Sequence, residues 1–216
     1  MTKHLISQGG MTRRGLLKSG MAMTAAGLVL PAGMAMAQSA PNKGGTLRIG
    51  FNSGSTVDNY DPGVWDTNFV QVFAQARHNY LTEIAADGSL VGEVAESWEA
   101  STDATTWTLR IRPGITFHSG GTVTADDVIA SINYHRGPDS TSAAKPIVDP
   151  IVDIRADGPN TVIVTLSGGN ADFPYLMSDY HLPIMPAKDG KIDPTSADGC
   201  GPYKVDSFEP GISATL

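Results

Sequence analysis

The 216-residue chain has a single cysteine, Cys200, so no internal disulfide can form even in an oxidising compartment. Stability must come from an apolar core, and a chain of this length can bury roughly 70% of its unfolded surface. Long hydrophobic runs are absent as well. The apolar run from Met21 to Leu30, "MAMTAAGLVL", is too short and too rich in Ala and Gly for a membrane span of about 20 residues. The common signatures of catalysis are missing: there is no G-x-S-x-G elbow, no H-E-x-x-H helix, no C-x-x-C pair and no G-x-x-x-x-G-K-[ST] phosphate cradle.

Acidic residues are missing from one place in particular. Residues 1–37 contain no Asp or Glu, while Lys3, Arg13, Arg14 and Lys18 make the segment basic. A basic start, the apolar middle and the small-residue exit Ala35-Met36-Ala37 are the parts of an export signal. A buried N-terminal helix is the competing reading. Thr12-Arg13-Arg14-Gly15-Leu16-Leu17-Lys18 resembles a twin-arginine export signal, which is a receptor-read address and not an anchor. Met11 also serves as a start, since the signal is complete from there. No cysteine lies near the cleavage point, so a lipid anchor is not expected and the mature chain should be soluble outside the cytoplasm.

Cleavage after Ala37 leaves 179 residues with 22 acidic side chains against 11 basic ones, because four of the chain's 15 Lys and Arg lie in the leader. That acidic, unclustered balance argues against nucleic acid and against anionic membrane surfaces as partners.

A short polar segment, Pro41 to Gly45, leads into "TLRIGFN", whose alternation predicts a strand over Thr46–Asn52 with Leu47, Ile49 and Phe51 on one face. After the loop "SGSTVDNYDPG", Asp66 or Thr67 can cap a helix carrying Phe69, Phe73, Ala76 and Tyr80 and ending near Thr82. "AADGSL" reads as a turn. "ESWEAS" and "TWTLRIRP" flank "TDAT" as a hairpin, with Trp107, Leu109 and Ile111 sharing a face. A second hairpin joins "IVDIRAD" to "TVIVTL" through Gly158, Pro159 and Asn160. "FPYLMSDYHLPIMP" suggests one helical turn followed by an extended piece, and a last strand is expected over Tyr203–Phe208. The order is mixed, so the fold class is α/β of the mixed α+β kind.

The stretch "ITFHSGGTVTADDVIASI" gathers a histidine, two glycines and paired aspartates. Thr124 followed by Asp127 is a capping-box pattern, and Ala125, Val128, Ile129 and Ile132 fall at i, i+3, i+4 and i+7. Neighbouring helical residues point about 100° apart, so Asp126 and Asp127 do not converge on one atom as a catalytic pair would. His118 has no partner at metal-binding spacing. His78, His135 and His181 are scattered, and a metal site built from them has no pattern to support it. Cys200 could serve as a nucleophile beside a His and an acid, though a small apolar residue in a tight turn is the simpler reading. Neither a catalytic residue nor a metal or cofactor is expected.

Leu90 to Ile132 resembles the bacterial extracellular solute-binding proteins of family 5, the peptide, nickel and opine receptors of ABC importers. Ala95-Glu96-Ser97-Trp98, Leu109-Arg110, Phe117-His118-Ser119-Gly120 and Thr124-Ala125-Asp126-Asp127-Val128 follow the family signature, with Ser119 in place of the usual Asp. Gly201-Pro202-Tyr203-Lys204-Val205 followed by Glu209-Pro210-Gly211 is a second match, with Cys200 where Thr is usual, and Asp61-Pro62 also fits. The resemblance implies a periplasmic binding protein-like fold of two lobes, of which this chain holds the first. Residues 1–37 would be the signal, 38–77 the start of the lobe, 78–166 an inserted β-rich subdomain and 167–216 the continuation of the lobe, with the chain cut short of a family member's length.

The function so implied is a monomeric periplasmic receptor that captures a peptide-like ligand by lobe closure and passes it to an ABC transporter permease, after export by the twin-arginine machinery. No enzyme activity is implied. Asn52, Ser53, Gly54 and Ser55, the loop after the first expected strand, are the candidate ligand contacts, since Gly54 would let ligand backbone approach. That they merely form a turn is an equal reading. The competing functions are a sensory ligand-binding module and a secreted hydrolase.

Overall fold

The computed structural model describes residues 44–216. The expected export signal, with Arg13, Arg14, Ala35 and Ala37, lies outside the described residues. The chain divides into two units after Arg48. Residues 44–48 of the first unit have no regular secondary structure, and neither do residues 49–52 of the second. The strand expected over Thr46–Asn52 is therefore not formed. Its alternating pattern needs a neighbouring strand to take up its N–H and C=O groups, and none of the described strands pairs with it. Leu47, Ile49 and Phe51 remain exposed.

A short 3₁₀ turn, Pro62–Val64, is capped by Asp61, whose carboxylate accepts the Gly63 N–H at 2.7 Å. Helix α1, Asn68–Arg77, follows, and the Thr67 hydroxyl accepts the Val70 N–H at its start. The expected N-cap is correct, but α1 ends five residues before Thr82. The carbonyls of Ala76 and Arg77 turn instead to the backbone N–H groups of Tyr203 and Gly201, and these contacts satisfy the last turn without further helix. Tyr80 lies beyond the helix, and the buried face is Val70, Phe73, Ala74 and Arg77.

Strands β1, Thr82–Ile84, and β2, Leu90–Gly92, form a small hairpin around Gly88, which has φ +84°. The main sheet is antiparallel with order β3-β4-β6-β5, built from β3, Ala95–Ala100, β4, Thr106–Ile111, β5, Ile151–Ala156, and β6, Thr161–Leu166. Both expected hairpins are present. Trp107, Leu109 and Ile111 of β4 and Val162, Val164 and Leu166 of β6 are buried on one face. Helix α2, Ala125–Tyr134, contributes Ala125, Val128 and Ile132 to the same apolar cluster. Its capping carboxylate, Asp127, accepts both the N–H and the hydroxyl of Thr124 at 2.8 Å.

Two short helical turns flank the β5–β6 hairpin: α3, Lys145–Val148, precedes it and α4, Phe173–Leu176, follows it. Strands β7, Ala187–Lys188, and β8, Lys191–Ile192, make one ribbon, and β9, Ser207–Glu209, and β10, Ser213–Thr215, make another. The strand expected over Tyr203–Phe208 is displaced to Ser207–Glu209, because Tyr203 is tied to α1 and its side chain is exposed.

Candidate functional site

The Phe117–Gly121 turn is a strap and not a reactive centre. The His118 backbone N–H donates to Gly199 O at 2.8 Å, and its ring Nε2 donates to Gly201 O at 2.9 Å. Asp127 is also fully engaged. Besides Thr124 it accepts the Ala187 N–H at 2.7 Å, so α2 is pinned to β7. The two glycines flanking Cys200 are explained by proximity to α1. A Cβ at Gly199 would lie 2.1 Å from Arg77 O, and one at Gly201 would lie 2.5 Å from Arg77 C. Cys200 is buried between them, 3.8 Å from Ile184 O, and burial pushes its thiol up to about 11. A nucleophilic cysteine needs the opposite shift, so the hydrolase reading loses its nucleophile.

The loop expected to touch ligand is held by its own hydrogen bonds. Oδ2 of the buried Asp58 accepts the Ser55 N–H at 2.7 Å, and Ser55 O accepts the Asp58 N–H at 3.1 Å. Thr67 Oγ1 donates to the other carboxylate oxygen at 3.3 Å. The loop abuts Gly211 of the β9–β10 turn, where a Cβ would stand 2.9 Å from Thr56 N. Asn52 and Gly54 are exposed and Ser53 and Ser55 half-buried. None of the four lines either of two clefts on the described surface, of about 690 and about 530 Å³.

The larger of those clefts, about 690 Å³, opens where α1, the β1–β2 hairpin and the turn after α4 meet. Gln71 and Gln75, one turn apart on α1, line it together with Tyr175, Asp179 and Tyr180. Tyr80, Glu83 and Glu93 also line it. Glu93 Oε2 accepts the Tyr80 N–H at 2.6 Å. Burial, with a further push from Glu83, raises the Glu93 carboxyl to about 7 against the hydrogen bond from Tyr80. The lining has three carboxylates and no Lys or Arg. Such a wall accepts hydrogen bonds and disfavours an anionic group. A smaller cleft of about 530 Å³ holds Arg136 and Lys145, but the ammonium of Lys145 is already engaged by Gly137 O and lies 3.8 Å from Asp149.

At the end of α1 an aromatic box surrounds Arg77. The Arg77 guanidinium carbon lies 4.5 Å from the Tyr60 ring centroid, 4.7 Å from Phe73 and 5.5 Å from Trp65. It donates to Tyr60 O at 3.4 Å and is fully buried. Of the scattered histidines, His78, His135 and His181 are all buried. Among the described residues no group of three or more His, Cys, Asp and Glu is placed to hold a metal. The cleft residues escaped the sequence because they come from four segments. Only the Gln71–Gln75 spacing, off the buried face of α1, hinted at a polar wall.

The model for bacterial extracellular solute-binding proteins, family 5 Middle, matches residues 89–216, which take in the whole four-stranded sheet, α2 and the segments after it. The chain belongs to family 5. A probable peptide ABC transporter periplasmic-binding protein, y4tO of Sinorhizobium fredii, is 28% identical over 95% of this chain and 38% of its own length. The nickel-binding periplasmic protein of Escherichia coli K12 is 31% identical over 49% of this chain and 20% of its own. Among solved structures, AgaA of A. tumefaciens R10 in complex with agropinic acid superposes with a TM-score of 0.66 at 29% identity, covering 72% of this chain and 32% of that one. The family 5 chain thus spans well under half the length of the relatives it matches, and its mixed α/β fold is a part of the periplasmic binding protein architecture. Among its described residues no helix is long and apolar enough to cross a membrane.

Proposed function

We propose that this family 5 chain acts in solute uptake as a periplasmic receptor for a peptide-like ligand, closing around it and presenting it to the permease of an ABC importer. The observation that carries the reading is the match of residues 89–216 to the family model. The expected signal in residues 1–37 supports export. The segments 38–77 and 167–216 would form the ligand-bearing lobe, with 78–166 as its inserted subdomain. A receptor needs concave, polar-edged surface and no reactive group, and the cleft beside α1 has that character. A sensory module would use the same surface, and HTH-type transcriptional regulators named SgrR are among the relatives, but they align over 59% and 58% of this chain against 95% for the probable peptide-binding protein y4tO. Asn52 to Ser55 act in this reading through the loop's outer, exposed edge.

The test is calorimetric titration of the purified chain with tri-alanine, tetra-alanine and a nickel–histidine complex. Saturable binding of a peptide supports the proposal. Binding of the nickel complex alone would replace the ligand class, and no heat with any of the three would overturn the receptor reading for this chain.

A further inference from the structure

The large cleft is braced from within the fold. The Thr82 hydroxyl donates to Pro174 O at 2.6 Å, and the Tyr80 hydroxyl donates to Tyr180 O at 3.3 Å. These bonds join the start of β1 to α4 and the turn after it, and residues of all three segments line the cleft. Part of that lining is apolar and wet. Ile84 is 53% and Tyr175 45% exposed, and Ile147 and Leu176 add half-buried apolar surface. Exposed apolar side chains within a concave surface mark a place for the apolar part of a ligand.

The charges in the cleft are of one sign. Glu83, Glu93 and Asp179 reach it from three separate segments. Among the described residues the ion pairs are Lys145 with Asp149, Arg155 with Asp153, and Asp179 with the His181 ring, so no Lys or Arg neutralises these three carboxylates. Glu93 Oε2 accepts the Tyr80 N–H and Asp179 Oδ1 the His181 N–H, which leaves the second oxygen of each, and Glu83, for another donor. Arg112 donates instead to the main-chain oxygens of Glu93 and Gly92, at 3.2 and 3.4 Å, and does not line the cleft. Glu93 is half-buried beside a second carboxylate, a setting that disfavours its anion and that an entering cation relieves.

We infer that this cleft receives the side chain of a lysine or arginine, its stem on the apolar lining of Ile84, Tyr175 and Leu176 and its cation among Glu83, Glu93 and Asp179. A long side chain with an apolar stem and a charged head matches both kinds of lining at once. The Tyr175 and Tyr180 rings add faces that favour a cation. The inference rests on the receptor reading and narrows its peptide-like ligand to a basic peptide.

The test is calorimetric titration of the purified chain at pH 7 with Ala-Lys-Ala, tri-alanine, Ala-Glu-Ala and cadaverine. Ala-Lys-Ala should bind about tenfold or more tightly than tri-alanine, and Ala-Glu-Ala more weakly than either. Its heat should differ between phosphate and Tris buffers, since a bound cation lowers Glu93 from about 7 and releases up to about half a proton. The other groups acting on Glu93 are Glu83 on β1 and, both kept neutral by burial, Tyr80 and Cys200. Glu93→Gln keeps an oxygen for the Tyr80 N–H, and it should abolish the buffer dependence and cut the affinity for Ala-Lys-Ala about tenfold. Glu83→Gln, at an exposed position, should lower that affinity as well. Equal affinity for Ala-Lys-Ala and tri-alanine would overturn the inference and leave the receptor reading intact, and so would a lysine preference untouched by both variants. Binding of cadaverine but of no peptide would support the cation site and overturn the receptor reading, whereas no heat with any of the four would overturn both.

Discussion

At the scale of single residues, the half-buried Glu93 and the buried Arg77 show how desolvation sets behaviour. Glu93 titrates near 4.5 when free and about 7 in the fold, chiefly because burial disfavours the anion. Below about 4.5 it is neutral in both states. Between 4.5 and 7 unfolding releases its proton, so this residue's contribution to stability falls as pH rises through that window and levels off above it. Glu93→Gln keeps an oxygen for the Tyr80 N–H and removes the titration. Thermal melts of the variant should lack that slope and lie above the parent at pH 8, by a free energy on the order of 1 kcal/mol once solvent screening of the partly exposed carboxyl is allowed for. Arg77 has aromatic faces but no carboxylate around it, and burial lowers it to about 10, so it stays charged at neutral pH. Its Nε and Nη1 have no hydrogen-bond partner in the structure. Arg77→Met should therefore be neutral or stabilising in urea unfolding, because it fills the box without a buried cation. Arg77→Ala should lose about 3–5 kcal/mol by leaving a cavity among the rings. Equal losses for the two would mean that the cation itself holds the box together.

At the scale of elements, Asp127 and Gly199 carry joints between segments. Asp127→Ala removes three accepted hydrogen bonds, from Thr124 N, Thr124 Oγ1 and Ala187 N. A loss of about 2–3 kcal/mol is expected from combined cap and tie, against well under half that for Asp127→Asn, and chemical denaturation of the pair measures the difference. Gly199→Ala should unfold the chain more severely than either, since its Cβ meets rigid backbone at Arg77. Circular dichroism at 25 °C checks it. The capping box, the two hairpins and the alternation of β4 and β6 were legible because each is a local pattern of period or turn chemistry. The end of α1 was not, since Tyr203 and Gly201, more than 120 residues away, take its last carbonyls. Nor was the fate of Leu47, Ile49 and Phe51, because alternation specifies a strand but not a partner. The cleft was hidden for the same reason: Gln71, Glu93 and Asp179 meet only in three dimensions. At Asn52–Ser55 the sequence left turn and ligand contact equally open, and the hydrogen bonds to Asp58 account for the turn.

At the scale of the whole molecule, the apolar core is unevenly distributed. One cluster joins β3, β4 and β6 to α2 and runs on to Phe173, Met177 and Ile184, whereas Trp65, Val70 and Ala74 form a separate small one and Ala130, Met185 and Ile192 another. Strands β4 and β6 are each paired on both edges, while β9 and β10 pair only with each other and carry no buried residue. Local opening follows buried apolar contact and two-sided pairing, so the free energy of exposing an amide should differ strongly between these regions. Native-state hydrogen exchange should find the slowest amides at Leu109, Ile111, Val162 and Val164, and exchange at Ser207 to Thr215 faster by several orders of magnitude. Protection at Ala76, Arg77 and Gly201 should be intermediate and should rise together on binding, if solute capture rigidifies the α1 joint. A ribbon as protected as the central strands would mean that β9 and β10 are held by association between chains, and a concentration series of the same experiment would show it.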